Sequence, residues 1–208
     1  AARRFADVTA SDYVPALLEK CRRRAAAEGL TIRIEPADVE ALPFADGSFD
    51  VVLSTFGAMF APDQERTARE MLRVVRSGGR IGMANWTPEG FIGRLFKLIG
   101  GRLPPPAGLK SPALWGTESR IVELFGNGAE EIRCVRRHFN FRYRSAAHWL
   151  QIFGDYYGPT HKAFAALDDA ARAGLEADIA ALLDELNVAG PDSLVVPAEY
   201  LEVVIETA

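Results

Sequence analysis

The amino-acid sequence predicts an α/β fold: a doubly wound, mostly parallel sheet with helices on both faces and an antiparallel edge. Two observations lead to this prediction. Short β-prone stretches alternate three times with amphipathic helices between residues 7 and 84, and such alternation calls for crossover connections between parallel strands. Further along, Phe139, Phe141 and Tyr143 alternate with polar residues, as in a strand with one solvated face.

The first half of the chain supplies the alternating elements. Residues 7–11 are β-prone, and the apolar positions after them have helical spacing, with Pro15 in the first turn and Gly29 suited to end the helix. Residues 31–34 predict a second strand. The stretch 49–54 is apolar enough for a buried strand of a parallel sheet. Asp63 is placed to cap the next helix.

The remaining elements follow from similar signals. Gly78 and Gly79 are predicted to end the second helix, and residues 80–84 to begin a fourth strand. Residues 86–116, rich in glycine and proline, predict a short helix and a mobile lid. Thr117 is placed to cap a further helix. Residues 145–193 predict a helical insertion before a final strand at 200–207, all within one domain over 1–208.

Composition narrows the class of protein. The 208 residues are 49% apolar, which suffices for one core. Lys and Arg total 24 against 28 Asp and Glu, so no basic surface for nucleic acid or an anionic membrane is expected. Cys21 and Cys134 are far apart in the sequence, which favours a reducing compartment and no metal site. We expect a cytoplasmic protein with a small-molecule substrate, and a homodimer stays open.

Asp12 stands where the first strand opens into the loop before its helix. An ionised carboxylate can accept hydrogen bonds from both hydroxyls of a ribose, and open α/β cofactor sites often place one there. Asp is also a good helix cap. The residue by itself therefore leaves cofactor binding and capping equally open.

A longer motif, ADVEALPFADGSFDVV over residues 37–52, places an acidic residue after one strand and a turn before the next. Together with Asp12 upstream and residues 66–82 downstream, it closely resembles class I S-adenosylmethionine-dependent methyltransferases, in particular the small-molecule group near the quinone C-methyltransferases. The resemblance covers at least residues 7–86. It implies a Rossmann-like fold and transfer of a methyl group from S-adenosylmethionine to a small-molecule acceptor.

The resemblance also implies which residues read the adenosine part of the cofactor. Asp12 would hold the ribose hydroxyls, and Tyr13 would pack against the adenine. Asp38 would accept a hydrogen bond from the adenine amine, while the Val39 backbone N–H would donate to a ring nitrogen. For Asp38 the alternative is a solvated loop charge, which the flanking motif makes the weaker interpretation.

Three residues that end the strand from Phe49 would line the methionine part of the cofactor: Ser54, Thr55 and Phe56. Met59 and Phe60 would face the substrate, although core packing is the alternative for both and is favoured for Met59. Trp86 and Trp115 flank the irregular segment and are predicted on the substrate side, because a sulfonium and an apolar acceptor both favour aromatic surroundings. No general base is identified.

The sequence departs from the family pattern in two places. Ser77 replaces the usual proline before the paired glycines. The family's Gly-rich loop has no counterpart, and its place would be upstream of Ala1. We therefore predict that the domain is N-terminally incomplete, that its first strand is missing, and that the chain is at risk of inactivity as a fragment. Such a gap would leave two strands with unpaired edges.

Two other functions compete with methyl transfer. A nicotinamide dehydrogenase would need a Gly-x-Gly-x-x-Gly turn after a strand, and none is visible. A non-catalytic methyltransferase-like scaffold, or a partner-binding domain that has lost cofactor binding, stays open because the Gly-rich loop is absent. Binding of S-adenosylhomocysteine would distinguish these alternatives.

Overall fold

A computed structural model describes all residues from 1 to 208. The β-strands are β1 (Thr9–Asp12), β2 (Arg33–Pro36), β3 (Phe49–Thr55), β4 (Val75–Trp86), β5 (Ala129–Tyr143) and β6 (Leu194–Thr207). The α-helices are α1 (Pro15–Ala27), α2 (Gln64–Val74), α3 (Phe91–Arg102), α4 (Glu118–Phe125), α5 (Ala146–Tyr156), α6 (Gly158–Ala166) and α7 (Asp169–Leu186).

The strands form two separate hydrogen-bonded sheets. One contains β1 and β2 in parallel, and the other has the order β3-β4-β6-β5. Strand β4 is parallel to β3, whereas β6 is antiparallel to both of its neighbours. Strands β3, β4 and β5 therefore share one direction, and only β6 is reversed. This confirms the predicted mostly parallel sheet with antiparallel pairing at one edge.

Strands β1 and β3 each have one unpaired edge, and no strand of this chain lies between them. On β3, Val51 and Leu53 are 50% and 64% exposed, while Val52 between them packs against the core. Successive side chains of a strand point to opposite faces. One face of β3 is thus covered by the core and the other is open.

The predicted helix caps are confirmed at two positions. The Asp63 carboxylate accepts a hydrogen bond from the Arg66 N–H at 2.8 Å and begins α2. The Thr117 hydroxyl accepts one from the Arg120 N–H at 3.3 Å and begins α4. Each cap satisfies a backbone donor that the first helical turn leaves free.

The predicted boundary at the paired glycines is wrong. Helix α2 ends at Val74, and Gly78 and Gly79 lie inside β4. A Cβ at Gly79 would come within 2.9 Å of the Asp50 carbonyl oxygen, so glycine is needed here for the close approach of β3 and β4 rather than to stop a helix. The second strand also begins later than predicted, at Arg33.

The main core lies between the larger sheet and helices on both of its faces. Helices α3 and α7 pack against β6, whereas α2 packs against β4 and α4 against β5. Within segment 86–116, α3 buries three large side chains: Phe91, Ile92 and Leu95. Segment 145–193 forms α5, α6 and α7. None of the helices combines the length and the apolar character that a membrane span requires.

Candidate functional site

A cavity of about 700 Å³ opens beyond the carboxyl ends of β1, β2 and β3. Seven of the eleven predicted site residues line it: Asp12, Tyr13, Asp38, Val39, Ser54, Thr55 and Phe60. The other lining residues are Ser11, Ala37, Val52, Leu53, Gly57, Ala58, Ala61, Pro62, Met71 and Lys162. Open α/β sheets bind their ligands at this position. The cavity is therefore the candidate site.

Asp12 does not cap α1, because the N-cap is Val14 and no side chain caps it. Its Oδ1 accepts a hydrogen bond from the Val14 N–H at 2.8 Å and so shapes the entry to α1. Its Oδ2 has no hydrogen-bond partner in the chain and can still accept hydroxyl groups of a ribose. The Tyr13 ring beside it is 74% exposed. One carboxylate thus fixes the loop and offers a free oxygen to a ligand.

Asp38 and Val39 present an acceptor next to a donor. Asp38 Oδ1 accepts from the Glu40 N–H at 2.9 Å, and its carbonyl accepts from the Ala41 N–H at 3.0 Å. This turn leaves Asp38 Oδ2 and the Val39 N–H without partners. Adenine offers an amine donor beside a ring-nitrogen acceptor, so the pair complements its edge. The residues present here fit the adenosine part of S-adenosylmethionine.

The loop that carries Asp38 is held by α2. The Asp63 N–H donates to Glu40 Oε1 at 2.7 Å, and Arg66 Nε donates to the Glu40 carbonyl at 2.6 Å. Further along the helix, Arg73 Nη2 donates to the Leu42 carbonyl at 2.9 Å. No strand pairing joins the two sheets, so these contacts couple the loop after β2 to the larger sheet. Sequence analysis missed them, since they join residues more than twenty positions apart.

Two hydroxyl groups stand at the end of β3. Ser54 Oγ accepts a hydrogen bond from the Ala58 N–H at 2.9 Å, which holds the turn after the strand. A hydroxyl that accepts one hydrogen bond keeps its own proton available to a ligand. Thr55 is exposed and its hydroxyl makes no hydrogen bond within the chain. Both groups face the cavity, where they can contact a polar ligand.

Phe56 occupies a different place from the predicted one. Its φ of 55° lies in the left-handed region, which costs a residue other than glycine of order 1 kcal/mol. The Phe56 ring stacks on the Trp86 ring with centroids 3.9 Å apart, and the Phe56 backbone N–H donates to the Ala84 carbonyl at 2.9 Å. The side chain therefore packs over the end of the sheet and does not line the cavity.

Three of the predicted substrate residues lie in the core instead of the cavity. Met59 and Trp115 have no exposed surface, and Trp86 is 6% exposed. Trp115 packs edge-on against Phe125. Such side chains cannot touch a substrate in this conformation, because the surrounding protein already covers them. Phe60 does line the cavity and is 37% exposed.

The N-terminus of α2, beside the cavity, is fixed by a buried guanidinium. Arg120 donates to Gln64 Oε1 at 3.0 Å and to Glu65 Oε1 at 2.7 Å. Lys110 also donates to Glu65. Hydrogen bonds from Lys110 and Arg120 lower the pKa of Glu65 to about 2. The network anchors the turn that follows the cavity-lining residues Ala61 and Pro62.

Lys162 is the one charged lining residue that the sequence did not reveal. It lies on α6, about a hundred positions after the end of β3. No local pattern indicates that a helix of the insertion reaches the cavity. The three histidines are absent from the lining. His161, next to Lys162, makes a hydrogen bond of 2.8 Å between its Nδ1 and the Gly154 carbonyl.

Comparison with known proteins relates the chain to methyltransferases. A family model described as a methyltransferase domain matches residues 1–83. The chain is 42% identical over 189 residues to the uncharacterized protein Rv1403c of Mycobacterium tuberculosis, covering 89% of this chain and 69% of that relative. It is 31% identical over 156 residues to the demethylmenaquinone methyltransferase of Deinococcus radiodurans, covering 73% of this chain and 65% of that enzyme.

Solved structures share the fold. The YcgJ protein of Bacillus subtilis superposes with a TM-score of 0.63 at 17% identity, over 97% of this chain and 83% of that one. The [4+2]-cyclase SpnF superposes with a TM-score of 0.54 at 16% identity, over 100% and 68% of the two chains. Similarity at these identities establishes the fold and leaves the reaction open. Taken with the methyltransferase-domain match over residues 1–83, it relates the chain to methyltransferases with the class I fold.

Proposed function

We propose that the chain binds S-adenosylmethionine in this cavity and transfers its methyl group to a small-molecule acceptor. One observation carries the proposal: acceptor groups from β1 and β2 and hydroxyl groups from β3, far apart in sequence, line a single cavity. Asp12 would hold the ribose, Asp38 and Val39 the adenine, and Ser54 and Thr55 the methionine part. When bound, S-adenosylmethionine supplies a methyl group on a sulfonium, open to in-line displacement by a nucleophile.

The chain's own contribution would be alignment of the partners and exclusion of water. Apolar side chains such as Phe60, Pro62 and Met71 line the cavity beside the hydroxyl groups of β3, and they suit an acceptor with an apolar body. No histidine lines the cavity, so the proposal assigns no general base. The Deinococcus relative is named for demethylmenaquinone, which makes a short-chain demethylmenaquinone the first acceptor to assay.

The test is a calorimetric titration with S-adenosylhomocysteine. Asp12→Asn and Asp38→Asn each keep an oxygen for the internal hydrogen bond of the turn but replace the free oxygen by an amide N–H. We expect each variant to bind at least tenfold more weakly than the wild type, because an acceptor has become a donor. Asp184→Asn, an exposed position on α7 outside the cavity, should bind like the wild type.

The main competing function is a scaffold that has lost cofactor binding. The lack of strand pairing between the two sheets favours that alternative. It predicts no saturable binding of S-adenosylhomocysteine by the wild type. Equal affinities of the wild type and both site variants would also contradict the proposed site.

A further inference from the structure

The cavity has a single positively charged lining side chain, Lys162 of α6. Lys110, another lysine of the chain, forms an ion pair with Glu65. Lys162 has no carboxylate within ion-pair distance, although the chain forms 18 such pairs in total. Its ammonium group makes no hydrogen bond to the protein either. A charged donor therefore faces the cavity with its hydrogen-bonding capacity unused.

Lys162 belongs to a different part of the fold from Asp12 and Asp38. Helix α6 packs against α5 and α3, which belong to the half of the molecule around β6 and β5. Phe60 lies on the same side, because its ring contacts Phe96 of α3 edge-on at 5.8 Å. Asp12 ends β1 and Asp38 follows β2, and these strands form the other sheet. The cavity thus has an adenosine side (Asp12, Asp38) and an opposite side (Phe60, Lys162).

Charge restricts what can lie on the opposite side. S-adenosylmethionine carries a sulfonium, an ammonium and one carboxylate, so its net charge is positive. An unpaired lysine ammonium in the same cavity would repel such a ligand, to a degree that solvent reduces because Lys162 is exposed. An anionic oxygen between the two cations would be attracted by both. The arrangement therefore favours an anionic group next to Lys162.

We propose that Lys162 is an anion-binding residue of this cavity, which holds a carboxylate or an ionised hydroxyl of a bound ligand. The inference rests on the proposed function and deepens it. The position on the side opposite to the adenosine residues assigns this anion to the methyl acceptor, so the substrate class is a small molecule with an apolar body and one anionic oxygen. The methionine carboxylate of the cofactor offers the same chemistry and is the other source to test.

Three variants separate a binding role from a general effect of charge. Lys162→Met removes the ammonium and keeps the length of the side chain, and Lys162→Arg keeps the charge. Lys97→Met makes the same change at an exposed lysine of α3 outside the cavity. Each protein is titrated with S-adenosylhomocysteine and with 5′-methylthioadenosine, which lacks the amino-acid part. With S-adenosylhomocysteine bound, each is also titrated with benzoate and with the neutral benzamide.

We expect Lys162→Met to weaken benzoate binding at least fivefold, with benzamide and both nucleosides unchanged, and Lys162→Arg to retain most of the affinity. Weaker binding of S-adenosylhomocysteine but not of 5′-methylthioadenosine would also support the anion site and would assign it to the cofactor carboxylate. Unchanged affinities in Lys162→Met, or equal losses in Lys97→Met, would overturn the inference and leave the proposed function intact. If the wild type bound neither nucleoside, the proposed function itself would fail.

Discussion

Individual side chains position the candidate site through contacts that the sequence does not reveal. Arg120 is buried, and its guanidinium donates a hydrogen bond to Gln64 and forms ion pairs with Glu65 and Glu123. A buried charge is tolerated only when it is paired and hydrogen-bonded. Glu65, at 41% side-chain exposure, is reached by solvent, as is Glu123 at 65%. The Glu65 carboxylate makes the anchor of α2 sensitive to pH.

We expect Glu65→Gln to lower the free energy of unfolding by about 1 kcal/mol at pH 7, since partial exposure screens the pairing below the value for a buried pair. The pKa of Glu65 falls from an ordinary 4.5 to about 2 on folding. A lowered pKa stabilises the folded state above the unfolded value, and this stabilisation is lost as the pH falls towards 2.

Urea unfolding of both proteins between pH 7 and pH 2 measures this effect. The difference in the free energy of unfolding between the wild type and Glu65→Gln should be constant above about pH 5 and shrink below pH 4.5. Glu89→Gln, an exposed position without an ion pair, should match the wild type throughout. A difference for Glu65→Gln that is independent of pH would show that the carboxylate charge is not responsible.

At the scale of elements, two glycines of α3 have opposite surroundings. A Cβ at Gly93 would lie 2.2 Å from the Thr87 carbonyl oxygen and 2.6 Å from Pro88 Cα, whereas a Cβ at Gly100 would meet nothing within 4 Å. Both positions are helical. Helical propensity alone favours alanine over glycine at each of them. Packing must therefore decide whether a substitution by alanine stabilises or destabilises the protein at each position.

We expect Gly100→Ala to raise the free energy of unfolding by about 0.5–1 kcal/mol, because alanine restricts the unfolded chain. Gly93→Ala should lower it by about 1–3 kcal/mol through the clash with the segment before α3. Chemical denaturation of the two variants and the wild type provides the measurement. Stabilisation by both substitutions would contradict the close packing of α3 on residues 87 and 88.

The larger elements also show where sequence rules succeed. Caps at Asp63 and Thr117 and the apolar alternation of β5 act within a few residues, and the structure has these elements where they were predicted. The boundary at Gly78 and Gly79 failed because both glycines serve the backbone of β4: Gly78 has a φ of 66°, and a Cβ at Gly79 would clash with Val75, Arg76 and Asp50. Glycine serves there to let β4 approach Asp50, and a local pattern cannot distinguish that use from a helix stop.

For the molecule as a whole, the open face and unpaired edge of β3 are the most exposed apolar features of the sheet. Val51 and Leu53 are half or more exposed, and β3, the strand that contains them, has no partner on one side. Exposed apolar edge strands are sites of association between chains. We therefore expect the chain to form dimers or larger assemblies as its concentration rises.

Val51→Glu should shift this assembly towards monomers, because a charge on the edge strand opposes pairing, and Arg80 on the neighbouring strand can accommodate it. Light scattering coupled to size-exclusion chromatography over a range of concentrations is the measurement. Val188→Glu, an exposed apolar residue in a loop, is the matched control. The same mass distribution for the wild type and Val51→Glu would exclude this edge as the contact.

The sequence by itself determined the order of elements, the caps, the methyltransferase resemblance and the place of Asp12, Asp38 and Val39 in the cavity lining. These depend on short motifs such as Asp38-Val39, in which neighbouring positions carry the information. Only the tertiary structure decided that Trp86 and Trp115 are core residues and that Lys162 reaches the cavity. Whether a side chain is buried depends on which elements cover its face of the sheet. The position of Lys162 at the cavity depends on how α6 packs on α3. Both result from contacts between residues far apart in the chain, and a local pattern contains no record of them.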